Sequence, residues 1–381
     1  MTLKLNANHQ LVWLDPNTMQ LGLSRNKVVL HNVSAGQEKL IDALYFGVAP
    51  NQLEALAKQN RMTLAEAQDL VQSLSGLLER DFEGAGGGGG VAGGAGGSSG
   101  AGGAGGAGGR AVGIGKVPGG KFVPPINLES AHPEVVAAGL QYSSDGSQVL
   151  QARSRMAVYI DTLDNTGLLL AGALAAAGVG VIVSGDERPV TQQDVTGNGY
   201  PQGLLGHPRV AAARLMLEST VGSCRVVEAH KLKPKQLGAV SLAIIVAQQV
   251  IQPARYQNWV SAGVPHLAIT YSADFVEVSP VVTANTGCLY CQQLWLQEHD
   301  STWSVVSSQL HASPLRFDSG WLRLIACGLA VQSALKTIDV GASGAAGVRY
   351  TMSSGEAEPL HWERHPGCSC ALVGLQQLQE A

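Results

Sequence analysis

From Gly84 to Gly109 the sequence holds only Gly, Ala and Ser with a single Val91, a composition that offers nothing to bury and little backbone restraint. A packed core cannot run through such a segment. The chain is therefore expected to fold as two units, 1–83 and 110–381, joined by a flexible linker over 84–109. As a random coil that run would span about 28 Å r.m.s.. The small unit would then move freely yet stay at high local concentration beside the large one.

The flanking segments are apolar enough for cores of their own, since the 381 residues are 45% hydrophobic and 14% charged. A net charge of −4 gives no electrostatic footprint for nucleic acid. Residues 1–16 lack an apolar stretch of signal-peptide length, and the run Leu168–Val183 is interrupted by Gly172, Gly178 and Gly180. The expectation is a soluble, cytoplasmic protein with no membrane span.

Ahead of the divider, "HQLVWLD", "MQLGLS" and "KVVLHN" alternate apolar and polar residues as short strands do. Ser34 then precedes a helical pattern with Leu40, Ile41, Leu44 and Tyr45 on one face, stopped at Gly47. "NQLEALAKQN" predicts a helix with Leu53 and Leu56 inward. "TLAEAQDLVQSLSGLLERD" predicts another, with Leu64, Ala67, Leu70, Val71, Leu74 and Leu77 inward and Thr63–Glu66 as its capping box. Three strands and three short helices suggest a winged-helix-like module. Its basic residues (Lys4, Arg25, Lys27, Lys39, Lys58, Arg61, Arg80) are balanced by acids (Asp15, Glu38, Asp42, Glu54, Glu66, Asp69, Glu79), and no basic recognition helix stands out. Such a module can instead take a peptide as an added strand, where backbone hydrogen bonds need no excess charge.

In 110–381 the lead-in to Arg153 shows one helical segment, "HPEVVAAGLQY". From Met156 strands and helices alternate: "MAVYI", "GLLLAGALAAAG", "VGVIVSGD", "PRVAAARLMLEST", "CRVVEAH", "GAVSLAIIVAQQ". This order predicts an α/β domain with a mostly parallel, doubly wound, Rossmann-type sheet. A phosphate-binding turn would need Gly-x-Gly-x-x-Gly, so that backbone amides approach the phosphates unobstructed. The corresponding positions are Thr162, Asp164 and Gly167. Only the third glycine is present, and Asp164 would set a carboxylate beside a phosphate.

Cysteine gives the sharpest chemistry. Cys288-Leu-Tyr-Cys291 has the spacing of a metal knuckle, and Cys368-Ser-Cys370 offers a second, tighter pair. Four thiolates with no sign of an oxidising compartment favour structural zinc over two disulfides, the alternative being a C-x-x-C redox centre. Cys224 and Cys327 read as packing residues, His266 as a hydrogen-bonded core histidine, and His365 as a loop residue that could also support the metal. Neither a trusted carboxylate pair nor a Gly-x-Ser-x-Gly elbow is present.

The run from Leu168 through "VSGDERPVTQQDVTGNGYPQGLLGHPRVAAARLM" resembles the ThiF-like, ubiquitin-activating-enzyme-like adenylating fold. "VPHLAITYSADFVEVSPVVTANTGCLYCQQLW" and "HWERHPGCSC" are similar to actinobacterial ThiF-like proteins of azole-forming ribosomal peptide biosynthesis, known as cyclodehydratase-domain or leader-peptide-binding proteins. The resemblance covers nearly all of the chain outside the linker and lead-in. It implies a peptide-recognition module at the front and a two-pair zinc site at Cys288, Cys291, Cys368 and Cys370. Of the family's nucleotide residues, it places a ribose-binding acid at Asp186 and a basic helix-start residue at Arg209. The metal-associated Asp after the central strand is replaced by Gln248 and Gln249. Loss of that acid and of the glycines argues against ATP. The expected function is a non-catalytic adaptor that binds a precursor's leader peptide and presents it to a YcaO-type cyclodehydratase, with a second copy of the chain as a further candidate partner. The alternative is an adenylating enzyme with an altered nucleotide site.

Overall fold

The computed structural model describes residues 2–23, 27–79, 126–127, 129–341 and 346–370. The expected linker, 84–109, lies outside them. The described residues fall into two compact units, one within Met1–Val112 and one within Gly113–Ala381.

In the smaller unit β1 (Leu11–Asp15), β2 (Thr18–Leu21) and β3 (Val28–Leu30) form an antiparallel meander. Asp15 Oδ1 accepts from Asn17 N at 2.8 Å to close the first turn, and β1 bulges between Trp13 and Asp15. Helices α1 (Ala35–Phe46), α2 (Leu53–Gln59) and α3 (Leu64–Ser73) pack with the sheet. Capping boxes start α1, from Ser34 and Gln37, and α3, from Thr63 and Glu66. Each satisfies amides that the first turn leaves without an internal acceptor. The core is Leu5, Met19, Leu21, Leu40, Ile41, Leu44, Ala67, Leu70, Leu74 and Leu77. Four side chains depart from the helical-face reading, Tyr45 and Val71 being half-buried at the edge of the core. Leu64 is exposed, because it opens α3 and faces away from the sheet's apolar side, and Leu56 is half-buried while Ala57 takes the inward place.

The larger unit opens with α4 (His132–Tyr142) and α5 (Gly146–Arg153). Then follow β4 (Ala157–Ile160), α6 (Asn165–Ala176), β5 (Val181–Ser184), α7 (Arg209–Thr220), β6 (Arg225–Glu228), α8 (Pro234–Leu237), β7 (Leu242–Gln248), α9 (Gln257–Ser261), β8 (His266–Tyr271) and β9 (Phe275–Val278). Three helices come next, α10 (Leu289–His299), α11 (Trp303–Leu310) and α12 (Gly320–Val340), and the hairpin β10 (Gly347–Thr351) and β11 (Glu356–Leu360) completes the unit. The sheet order is β6-β5-β4-β7-β8-β9-β10-β11. Strands β6 through β8 are parallel, and β9 to β11 extend the sheet antiparallel. The winding reverses between β4 and β7, and the crevice beyond such a switch point is where open α/β sheets bind ligands.

Central strand β7, "LAIIVAQ", is buried along both faces, as a parallel strand covered on both sides must be. One face packs Val158, Ile160, Ile182 and Ile244 against α6, α7 and α12. The other packs Ala243, Ile245 and Ala268 against Tyr256, Trp259 and the cysteine cluster. Helix α12 is long and apolar enough to cross a membrane by composition. Here Leu322, Ala326, Ala330 and Ala334 are fully buried in the core. The small residues that give it that apolarity are what allow close packing on α6 and the sheet.

The lead-in to Arg153 finds its pairing here. Arg153 donates from Nε and Nη2 to Asp339 near the end of α12, and from Nη1 to the Ala177 carbonyl at 2.9 Å. Both side chains are almost fully buried. Breaking such a pair from one side strands a charge in low dielectric, which costs about 3–5 kcal/mol. Asp339→Ala is expected to destabilise the larger unit by about that amount, as read by urea unfolding.

Candidate functional site

A crevice of about 680 Å³ opens beyond the C-terminal ends of β4, β5 and β7, at the switch point. Its floor is built from carboxylates that the chain itself neutralises. Asp164 is the N-cap of α6, and its Oδ1 accepts from Thr166 N at 3.1 Å and Gly167 N at 3.2 Å. These amides are the ones a helix N-terminus would otherwise offer to an anion. Asp164 Oδ2 accepts from Arg316 Nη2 at 2.9 Å. Gly167 is required for the backbone here, since a Cβ would lie 1.7 Å from the Thr162 carbonyl oxygen. Its presence is explained by packing without reference to a nucleotide.

Asp186 sits just beyond β5, with both oxygens occupied. Oδ2 accepts from Leu163 N (2.8 Å), Thr162 Oγ1 (3.1 Å), Arg188 Nη2 (2.9 Å) and Arg209 Nη1 (3.3 Å), and Oδ1 from Arg188 Nε (2.7 Å). Arg209, the first residue of α7, is buried and also donates from Nη2 to Asp194 at 2.7 Å. The structure thus brings the two sequence-nominated residues together, bonded to each other and turned inward. Burial alone would raise the Asp186 carboxyl, but the hydrogen bonds and charge of Arg188 overcome it and hold it below the usual range. For Asp194 burial is likewise outweighed, by the Thr191 amide and by Arg209.

Two acids missing from the sequence reading join this network, Asp161 lining the crevice and Asp318 standing behind Arg316. Asp161 accepts from Val246 N at 3.0 Å and pairs with Arg255, while burial pushes its carboxyl upward. Asp318 lies 3.0 Å from Gln248 Nε2 and is held by Arg316 and Arg323. The end of β7 has no acid of its own, but carboxylates from β4's exit and from the segment before α12 stand beside it. Only Asp161, at a strand end, carried a local signal; Arg316 meets the crevice through tertiary packing, with Asp318 bonded to it.

The second cluster is at the cysteines. Cys288 caps α10, Cys291 lies in its first turn, and Cys368 and Cys370 arrive from beyond β11. The Cys288–Cys291, Cys288–Cys368 and Cys291–Cys370 sulfur distances are 3.7, 3.7 and 3.5 Å, and all four sulfurs lie within 4.8 Å of one another. Edges of a tetrahedron with a metal–sulfur bond of about 2.3 Å are about 3.8 Å, whereas a disulfide requires about 2.05 Å. The donor set therefore fits a four-coordinate metal ion, and the four cysteines can hold one. Glycine at 287 lets the two segments meet, since a Cβ there would lie 2.5 Å from the Glu363 carbonyl oxygen.

The remaining candidates are supporting residues. His365 Nε2 meets Glu298 at 2.8 Å, its Nδ1 accepts from Gly367 N at 3.0 Å, and its ring stands edge-on to Trp295. It shapes the knuckle from outside the sulfur cluster. His266 Nδ1 donates to the Val264 carbonyl, and burial pushes its pKa down to about 4, so the ring is neutral in the core. Burial pushes the Cys224 and Cys327 thiols up to about 12, as unreactive packing residues require.

No family model matches this chain, and no curated protein matches it in sequence. Among solved structures it is similar to E. coli MccB in a structure with MccA, at 13% identity over 97% of this chain and 100% of that one, TM-score 0.51. Similarity to E. coli MccB with AMPCPP and MccA is at 14% identity, over 97% and 99%, TM-score 0.51. The microcin C7 biosynthetic enzyme MccB in complex with N-formylated MccA aligns at 13% identity, over 97% and 100%, TM-score 0.50. What is shared is the fold. The likeness to MccB supports the mixed α/β architecture with a parallel-rich sheet expected for the larger unit.

Acid should expose the crevice pairs. Asp186 and Asp194 have folded pKa values below the unfolded value of about 3.9, so their contribution is present above that value and is lost as pH falls through the folded values. The melting temperature is expected to fall steeply below about pH 4. An Asp186→Asn, Asp194→Asn double variant, less stable at neutral pH, should show a flatter acid limb in the same calorimetric series.

Proposed function

We propose that the chain is a non-catalytic adaptor of ribosomal peptide modification. Residues 1–83 form a winged-helix-like module that captures the leader segment of a precursor. The larger unit, its C-terminal part held by structural zinc on Cys288, Cys291, Cys368 and Cys370, docks a modifying enzyme of the YcaO cyclodehydratase type. The observation that carries this reading is the occupied helix terminus. Asp164 takes the α6 amides and Arg316 takes Asp164, so triphosphate would meet a carboxylate where it needs donors. Asp186 has no free acceptor for a ribose. The small unit supports capture by strand addition, because β3 is a sheet edge without the bulge that distorts β1. MccB, whose solved structures hold MccA, has the same fold.

The crevice volume and the AMPCPP held by MccB favour a second reading, an adenylating enzyme with an altered nucleotide site. One set of titrations separates the two. On the adaptor reading a fluorescent cognate leader peptide binds the full chain, deletion of 1–83 abolishes binding, and ATP with magnesium gives no thermal shift, since any ligand selective for the folded state must raise the melting temperature. A saturable ATP shift, or pyrophosphate exchange with a precursor peptide, would establish the enzyme reading instead.

The metal has its own test. Elemental analysis is expected to give one zinc per chain. Because two segments about 80 residues apart converge on it, strong chelators should lower stability, metal binding being coupled to folding. Substoichiometric zinc in a fully stable, reduced chain would remove the assignment.

A further inference from the structure

Among the four sulfur ligands, solvent access is unequal. Cys288, Cys291 and Cys368 are buried, and only Cys370 is half-exposed. Cys370 lies 3.5 Å from Cys291, a closer approach than the 3.7 Å from Cys288 to Cys291 and to Cys368. A peroxide reaches a thiolate only where solvent does, and a sulfenic acid condenses with the nearest thiolate.

We propose, building on the zinc reading above, that the knuckle is a peroxide-sensitive clasp in which Cys370 is oxidised first and closes a disulfide with Cys291. The Cys370 thiolate attacks one oxygen of a hydroperoxide, breaks the O–O bond and becomes a sulfenic acid. The Cys291 thiolate then attacks that sulfur and expels hydroxide. With hydrogen peroxide, two thiolates and two protons yield one disulfide and two waters, the sulfurs being oxidised and the peroxide reduced. Cys288 and Cys368 alone are too few to retain a tetrahedral metal ion. The outcome differs from chelation in a defined way. Chelation removes the only link between α10 and the Cys368–Cys370 segment that runs through sulfur, whereas oxidation discards the metal and leaves that segment covalently tied to α10.

The altered site lies against the crevice wall. Tyr256 is buried in the same core as the four cysteines, and its neighbour Arg255 is the partner of Asp161 in the crevice. Tyr256 thus shares a core with the sulfur pair that would contract from 3.5 Å to about 2.05 Å.

The test uses the reduced full-length chain, with its zinc content measured before any oxidant is added. Hydrogen peroxide is titrated in, quenched with catalase, and followed by a chromogenic zinc chelator and a non-reducing peptide map. The expected result is one zinc released per Cys291–Cys370 link, with dimedone trapping Cys370 ahead of the other three. The oxidised chain should also resist cleavage after Arg364 by trypsin better than the chelated one. Zinc retained while Cys370 oxidises, or a Cys288–Cys291 link with Cys370 still reduced, would overturn the proposal and leave the zinc assignment intact. A preparation without zinc at the outset counts against that assignment itself, and the clasp falls with it.

Discussion

The carboxylate of Asp164 satisfies the first amides of α6, and the arrangement of the crevice depends on that bond. An open α/β sheet leaves helix N-termini pointing at its switch point, where their partial positive charge needs an acceptor. In nucleotide-binding folds the acceptor is a phosphate. Here it is part of the chain, and a negative side chain fixed at that point must itself be countered. Arg316 does so from the segment before α12, and Asp318, Gln248 and Arg323 hold Arg316's end of the network. One internal cap thus recruits residues from the end of β7 and from more than 150 positions away in sequence.

The other two acids are treated in the same manner. Asp186 is closed off by Arg188 and Arg209, and Asp161 by Arg255. These three aspartates, with Glu187 also lining the crevice, would repel each other and raise each other's pKa values if left bare. Pairing each aspartate with a guanidinium offsets that repulsion, and it also engages the donors that a polyanion would need. The volume of the site survives, while its electrostatic character differs from that of a triphosphate pocket.

The strand–helix alternation after Met156 was legible because each strand is a short apolar run and each helix carries small residues toward the sheet. The capping boxes at Ser34 and Thr63 were legible as well, being local. The cysteine spacing named four sulfurs that the structure brings together, since two knuckles are recognisable wherever they meet. What the sequence hid was pairing over distance. Arg255 and Arg316 carry no periodic signal, and an arginine in a loop gives no hint of which carboxylate it will reach. The apolar α12 was similarly silent about its place, because a core helix and a spanning helix share a composition. Leu64 was misplaced by a face rule that ignores helix starts, where the first side chain is turned away from the core.

The two clusters are joined through one short piece of chain. Tyr256 and Trp259 pack in one core with the inner face of β7 and the cysteines, and Trp259 lies tilted against Tyr159 of β4, with ring centroids 4.6 Å apart and planes at 51°. Arg255, immediately before Tyr256, reaches Asp161 at the exit of β4. The sulfur site therefore supports the wall of the crevice that carries Arg255, while the segment before α12 supports the opposite wall through Arg316. A change in the knuckle that shifts Tyr256 must either move Arg255 with it or strain the bond to Asp161. The Asp161 side chain is 9% exposed at the crevice, and Arg255 supplies the charge that opposes the upward push of burial on its carboxyl. The sulfur cluster and the Asp161–Arg255 pair are thus separated by one step of chain, from Tyr256 in the core they share to Arg255 at the crevice.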